Sequence, residues 1–213
     1  MGCVILYRII GNFREVINLK KYIIIAGVPR AGKSTVSKMI AKQFGYQHIS
    51  MDSVIAGIEK VFPEAGIDTG ASIDARTNLE NISAKIAPFI RAMMDSGEYD
   101  ECDYGVVIDV FQLLPQDYVT YLGNKNCEIH YFLSSDVTAE ERFDLLKKYD
   151  TPDDYTYYHS DEENKRDCVD IVNISNYLKK QCIQYGLPYY ETSFNRETVL
   201  EEFIEVLILN NSK

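Results

Sequence analysis

Beyond residue 21 the chain alternates between short unbroken apolar runs and longer stretches whose apolar residues recur every third or fourth position. The runs have the length and β-branched content of strands buried on both faces, and the recurrences have the period of amphipathic helices. Residues 22–26 (YIIIA) open the series as a strand. Val36, Met39, Ile40 and Phe44 then share one face of a helix over 32–44, and Gly45 follows where a helix end favours glycine. Residues 47–51 read as a second strand, 105–110 as a third, 127–133 as a fourth and 188–191 as a fifth. Helical stretches fall over about 72–95, 115–122, 138–148, 168–185 and 196–209. Pro115 and Gly123 bracket one of them, and Thr138 with Glu141 forms a capping-box pattern at the start of another. Strands separated by helices imply right-handed βαβ units and a parallel sheet covered on both faces. Residues 21–213 read as one domain, whereas 1–20 leave three readings open: an edge strand, a disordered arm or a mis-assigned start.

The turn between the first strand and the first helix reads Gly27-Val28-Pro29-Arg30-Ala31-Gly32-Lys33-Ser34, followed by Thr35. It fits G-x-x-x-x-G-K-[ST] in full, in the strand–turn–helix context that such a loop requires. Gly27 and Gly32 permit backbone angles that let successive N–H groups curl round a phosphate. The helix beginning there aims its positive dipole end at the same anion. Lys33 is expected to bridge the β- and γ-phosphates, and the Ser34 hydroxyl to ligate magnesium. Asp109 ends the apolar run 106–108 and is a second magnesium ligand candidate, although an Asp at a strand end is also a common turn former. ATP and magnesium are the cofactors expected.

With these residues the chain resembles the P-loop kinases of small metabolites, nucleosides and nucleotides, both adenylate kinase-like and chloramphenicol phosphotransferase-like. The resemblance spans about residues 22–209, and the phosphate loop is its specific motif. It implies a three-layer α/β/α P-loop NTPase fold with five parallel strands in the order 2-3-1-4-5, an acceptor-binding helical region over about 53–100 and a lid over about 149–166. Met51-Asp52-Ser53 ends the second strand in this reading, 19 residues after Lys33. Relatives that phosphorylate a hydroxyl, such as chloramphenicol phosphotransferase and polynucleotide kinases, use an Asp there to orient or deprotonate the acceptor. The competing reading of Asp52 is a helix cap. Residues 109–115 (DVFQLLP) depart from the Asp-Gly-Phe-Pro-Arg run of nucleoside-monophosphate kinases, since Val110 replaces the Gly and no Pro-Arg pair follows.

Arg142 falls in the first turn after the fourth strand, where relatives place an arginine against adenine or phosphate; pairing with Glu141 or Asp144 at the surface is the plain alternative. Residues 192–195 follow the fifth strand, where relatives wrap adenine with backbone atoms. The lid differs from the family's arginine-rich lids. It holds Asp150, Asp153, Asp154, Asp161, Glu162 and Glu163, with Lys165 and Arg166 as the only basic candidates, and such an acidic loop reads first as a solvated one. Arg76 and Arg91 on the 72–95 helix are candidates for an anionic acceptor.

Composition narrows the partners. A net charge of −10 argues against non-specific nucleic-acid binding, which depends on Lys and Arg neutralising phosphates. Five widely spaced cysteines without a CxxC pair suggest free thiols in a reducing, cytoplasmic setting. No apolar run approaches bilayer length, and Leu6 stands where the myristoylation pattern after Met1-Gly2 wants Ser or Thr. A guanine-reading Asn-Lys-x-Asp is also missing: Asn124-Lys125-Asn126-Cys127 lacks the Asp and precedes the fourth strand. The expected partners are thus a nucleotide and a small-molecule acceptor, most simply one with a hydroxyl. The acceptor's identity and the oligomeric state are not encoded in any motif.

Overall fold

A computed structural model describes residues 3–10, 13–100 and 102–211. Five parallel strands form the central sheet: β3 (Tyr22–Gly27), β4 (Gln47–Ser50), β5 (Val106–Val110), β6 (Cys127–Leu133) and β7 (Tyr189–Glu191). Their spatial order is β4-β5-β3-β6-β7, which is 2-3-1-4-5 when the core strands alone are counted. β3 lies at the centre, paired with β5 on one side and β6 on the other. Every residue of β3 and β5 is buried, as the unbroken runs require. Helices α1 (Lys33–Phe44) and α7 (Arg196–Asn211) pack against each other. Helices α3 (Ala75–Asp95), α4 (Pro115–Tyr121) and α6 (Asp161–Tyr185) form a second mutually packed group, joined by α5 (Ala139–Tyr149).

Three boundaries differ from the sequence reading. The second core strand stops at Ser50, and Met51 begins helix α2 (Met51–Val61). Met51 is fully buried, so its apolar character serves helix packing rather than strand extension. Helix α6 starts at Asp161 instead of Cys168, because Ser160 and Glu163 form a reciprocal capping box. Helix α3 starts at Ala75, where Asp74 accepts the backbone N–H of Thr77.

Ahead of the core, β1 (Cys3–Ile10) and β2 (Phe13–Lys20) pair antiparallel as a two-stranded sheet of their own. Leu19 is fully buried against the core and β2 packs on α7. The Met1-Gly2 acylation pattern lies outside the described residues. Among the described residues, no helix is long and apolar enough to cross a membrane.

Candidate nucleotide and phosphoryl-transfer site

The phosphate loop is set by two glycines. Gly27 has φ 122°, and a Cβ there would collide with the backbone of Phe132 on β6, whose carbonyl accepts the N–H of Val28 at 3.1 Å. Gly32 has φ 95° and a Cβ on it would lie 2.8 Å from Leu200 of α7. No side chain caps α1 at Gly32, so its first N–H groups face the loop, as an anion site needs. Val28 and Ala31 are buried, Pro29 and Arg30 half-buried, and Ser34 and Thr35 exposed.

Lys33 is almost fully buried, and its Nζ donates to the Val28 carbonyl across the loop at 2.9 Å. Burial pulls its pKa down, opposed by the charges of Asp109 and Asp52. Asp109 projects from β5 beside the loop. The Ser34 hydroxyl donates to its Oδ2 at 2.5 Å, while Oδ1 is buried without a hydrogen-bond partner. An orphaned carboxylate oxygen next to a hydroxyl is an all-oxygen donor set, which suits magnesium held by few protein ligands and completed by water and phosphate. Ser34 and Asp109 would hold it. Among the described residues, no group of three or more His, Cys, Asp or Glu forms a metal cage by itself. His48 of β4 faces the same carboxylate, its Nε2 3.7 Å from Asp109 Oδ2 and otherwise unpartnered. His48 carries no sequence motif; its place one strand from Asp109 shows only in the β4–β5 register.

Asp52 lies in the first turn of α2 and is exposed. Among the described residues, no backbone N–H is bonded to its oxygens, so it is not a cap; Ser50 is the N-cap residue. Desolvation pushes its pKa up; the Lys33 ammonium opposes this, Asp109 adds to it, and a hydrogen bond from Gln112 again opposes it. Lys33, Ser34, Asp109 and Asp52 thus meet at the carboxyl end of β3 and its neighbours, where open α/β sheets bind ligands.

Beside the loop is a cavity of about 400 Å³ between α5 and the β7–α7 connection, lined among others by Arg30, Arg142, Tyr149, Ser193, Asn195 and Arg196. Arg142 is buried, not paired at the surface: its Nη2 donates to the Pro29 carbonyl at 3.1 Å and its Nε has no partner. Burial lowers its pKa, Cys168 opposes this, and Arg30 and Arg196 lower it further. Glu191 organises the wall of this cavity. It accepts the backbone N–H of Ser135 at 2.9 Å and of Ser193 at 3.0 Å, tying the exits of β6 and β7 together.

The remaining candidates disperse. Arg91 is bonded to Asp95 at 2.6 Å and to the Tyr121 carbonyl at 2.9 Å, just ahead of β6 and thus at the sheet end opposite the phosphate loop. It is not brought to the site. Arg76 is bonded to Glu80 at 2.9 Å and stacks on Tyr177, 4.0 Å from the ring centre. Lys165 and Arg166 stand exposed on the regular helix α6 rather than in a loop, with Lys165 over the Phe143 ring. The acidic lid is not merely solvated either. Asp161, Glu162 and Glu163 are the first turn of α6, and Asp150 and Asp154 pair with Arg30 of the phosphate loop.

A five-stranded parallel sheet in this order, with a glycine-bounded phosphate loop after its central strand, defines a P-loop α/β fold. No family model matches the chain. Its fold is similar to that of shikimate kinase from Bacteroides thetaiotaomicron, at 16% identity and TM-score 0.51 over 87% of this chain and 97% of that one. A sugar kinase from a Janibacter species is similar at 10% identity and TM-score 0.52, over 90% and 95% of the two chains. Shikimate kinase from Acinetobacter baumannii, solved in complex with shikimate, is similar at 16% identity and TM-score 0.51, over 90% and 94%.

Proposed function

We propose that the protein is an ATP-dependent phosphotransferase that moves the γ-phosphate to a hydroxyl of a small molecule. The observation that carries this reading is the convergence of Lys33, Ser34–Asp109 and an uncapped Asp52 at one sheet end. The fold likeness to shikimate and sugar kinases supports it.

The phosphate-loop N–H groups and the α1 terminus hold the β-phosphate, and Lys33 leaves the Val28 carbonyl for the β- and γ-oxygens. Magnesium, when bound, would neutralise charge on those oxygens. Ser34 and Asp109 would orient it. Arg142 forms a flat cationic wall for the base in the neighbouring cavity. Asp52, beside Lys33 and Asp109, would accept the acceptor's proton as its oxygen bonds the γ-phosphorus and the bridging bond to the leaving ADP breaks. A phosphate acceptor is already anionic and calls for free arginines, whereas Arg76 is paired and Arg91 lies elsewhere. A hydroxyl acceptor is therefore favoured over a nucleoside monophosphate.

A screen of hydroxylated metabolites for acceptor-dependent ADP release tests the reading. A nucleotide switch would release ADP at a rate indifferent to every acceptor. Turnover of monophosphates that survives Asp52→Asn would replace this reading with nucleotide phosphorylation.

A further inference from the structure

Arg30 occupies the third variable position of the phosphate loop with φ 63°, a left-handed conformation that side chains rarely adopt. Such an outlier persists where surrounding structure over-determines it. Here the guanidinium crosses to the lid, its Nη2 lying 3.3 Å from Asp150 Oδ1 and its Nη1 pairing with Asp154. Both carboxylates are fixed from their own side. The Thr156 hydroxyl donates to Asp150 at 2.6 Å, and the Thr151 backbone N–H and hydroxyl donate to Asp154 at 3.0 and 2.9 Å. The three charged side chains are 15%, 8% and 26% exposed, so salt screens these pairs less than surface ones. Arg30 is also held from behind, since Arg196 Nη1 reaches its carbonyl at 3.5 Å.

We propose that Arg30 is a positioning residue that tethers the lid, residues 150–159, over the nucleotide site. The charge order is reversed: the phosphate loop supplies the arginine and the lid supplies the carboxylates. The inference rests on the phosphoryl-transfer reading of the site. Its consequence is that the lid closes on the loop itself rather than on the ligand's phosphates. Without Arg30, Asp150 and Asp154 would face a polyphosphate as uncompensated negative charges, which would weaken its binding.

Hydrogen exchange of residues 150–159 without nucleotide, at about 0.05 and about 0.5 M salt, tests the tether. Arg30→Gly relaxes the backbone at φ 63° while removing both pairs, so a loss confined to the lid is separable from general unfolding. The expected result is exchange about tenfold faster over 150–159, with β3 and α1 unchanged and the salt dependence of the wild type gone. Asp150→Asn with Asp154→Asn should reproduce it, and adding Arg30→Gly should change nothing further. MgADP affinity, read by calorimetry, should fall in Arg30→Gly and recover in part in Arg30→Lys. Wild-type exchange in Arg30→Gly, or additive effects of the two sides, would overturn the tether. Failure of the wild type to bind MgADP would instead count against the nucleotide reading and leave the exchange result standing.

Discussion

Burying the Lys33 charge is costly, and Asp109 and Asp52 offset only part of that cost. A lysine whose pKa is lowered in the fold destabilises it below the unfolded value. Lys33→Ala should therefore melt within a few degrees of the wild type, and differential scanning of both proteins checks this. The same scans with MgATP should show a rise in Tm for the wild type and none for the variant, through linkage of binding to folding. Asp52 carries the second prediction. Its carboxyl sits above the ordinary value of 3.8, so its basic form is lost as pH falls through that raised value. The acid limb of kcat/KM should follow this group and vanish in Asp52→Asn, with turnover down about 10²–10⁴-fold and nucleotide affinity little changed. That Ser34 and Asp109 lie together was legible in the sequence, because the loop motif sets Lys33 and Ser34 after the first core strand and Asp109 closes the apolar run 106–108. Arg91 was not, since helical spacing gives a face of α3 but not which end of the sheet that face meets. His48 carried no motif at all.

The lid and α6 show where element reading failed and why. Residues 161–166 are wholly polar, and an apolar period cannot start in such a stretch. The start signal was nonetheless present as Ser160 with Glu163, and three acidic residues in a first turn suit a helix N-terminus. Ser160→Ala should cost about 1 kcal/mol, seen as lower melting or as faster exchange over 160–166. An unchanged α6 start in that variant would mean that burial of Asn164 and Cys168 holds it instead. The end of β4 failed for a different reason. Met51 is apolar in either element, and only packing decides that its side chain belongs to α2. That one-residue shift matters chemically, because it moves Asp52 from a strand end to a helix turn that opens on the cleft.

At the scale of the whole molecule, the alternation of buried runs and amphipathic stretches predicts the parallel sheet that the structure has. The strand order 2-3-1-4-5 came from the family resemblance, and the structure has it. That order places β3 between β5 and β6, so that the phosphate loop, Asp109 and the α5 arginine converge from three separate segments of the chain. The proposed acceptor side is less legible, because the residues around Asp52 on α2 follow no motif. Phosphoryl transfer to a hydroxyl is tested by single-turnover ADP formation from MgATP with and without a panel of neutral hydroxylated acceptors. ADP formation should accelerate with at least one such acceptor and lose that acceleration in Asp52→Asn. ADP formation indifferent to every acceptor, or acceleration by nucleoside monophosphates that survives Asp52→Asn, would contradict it.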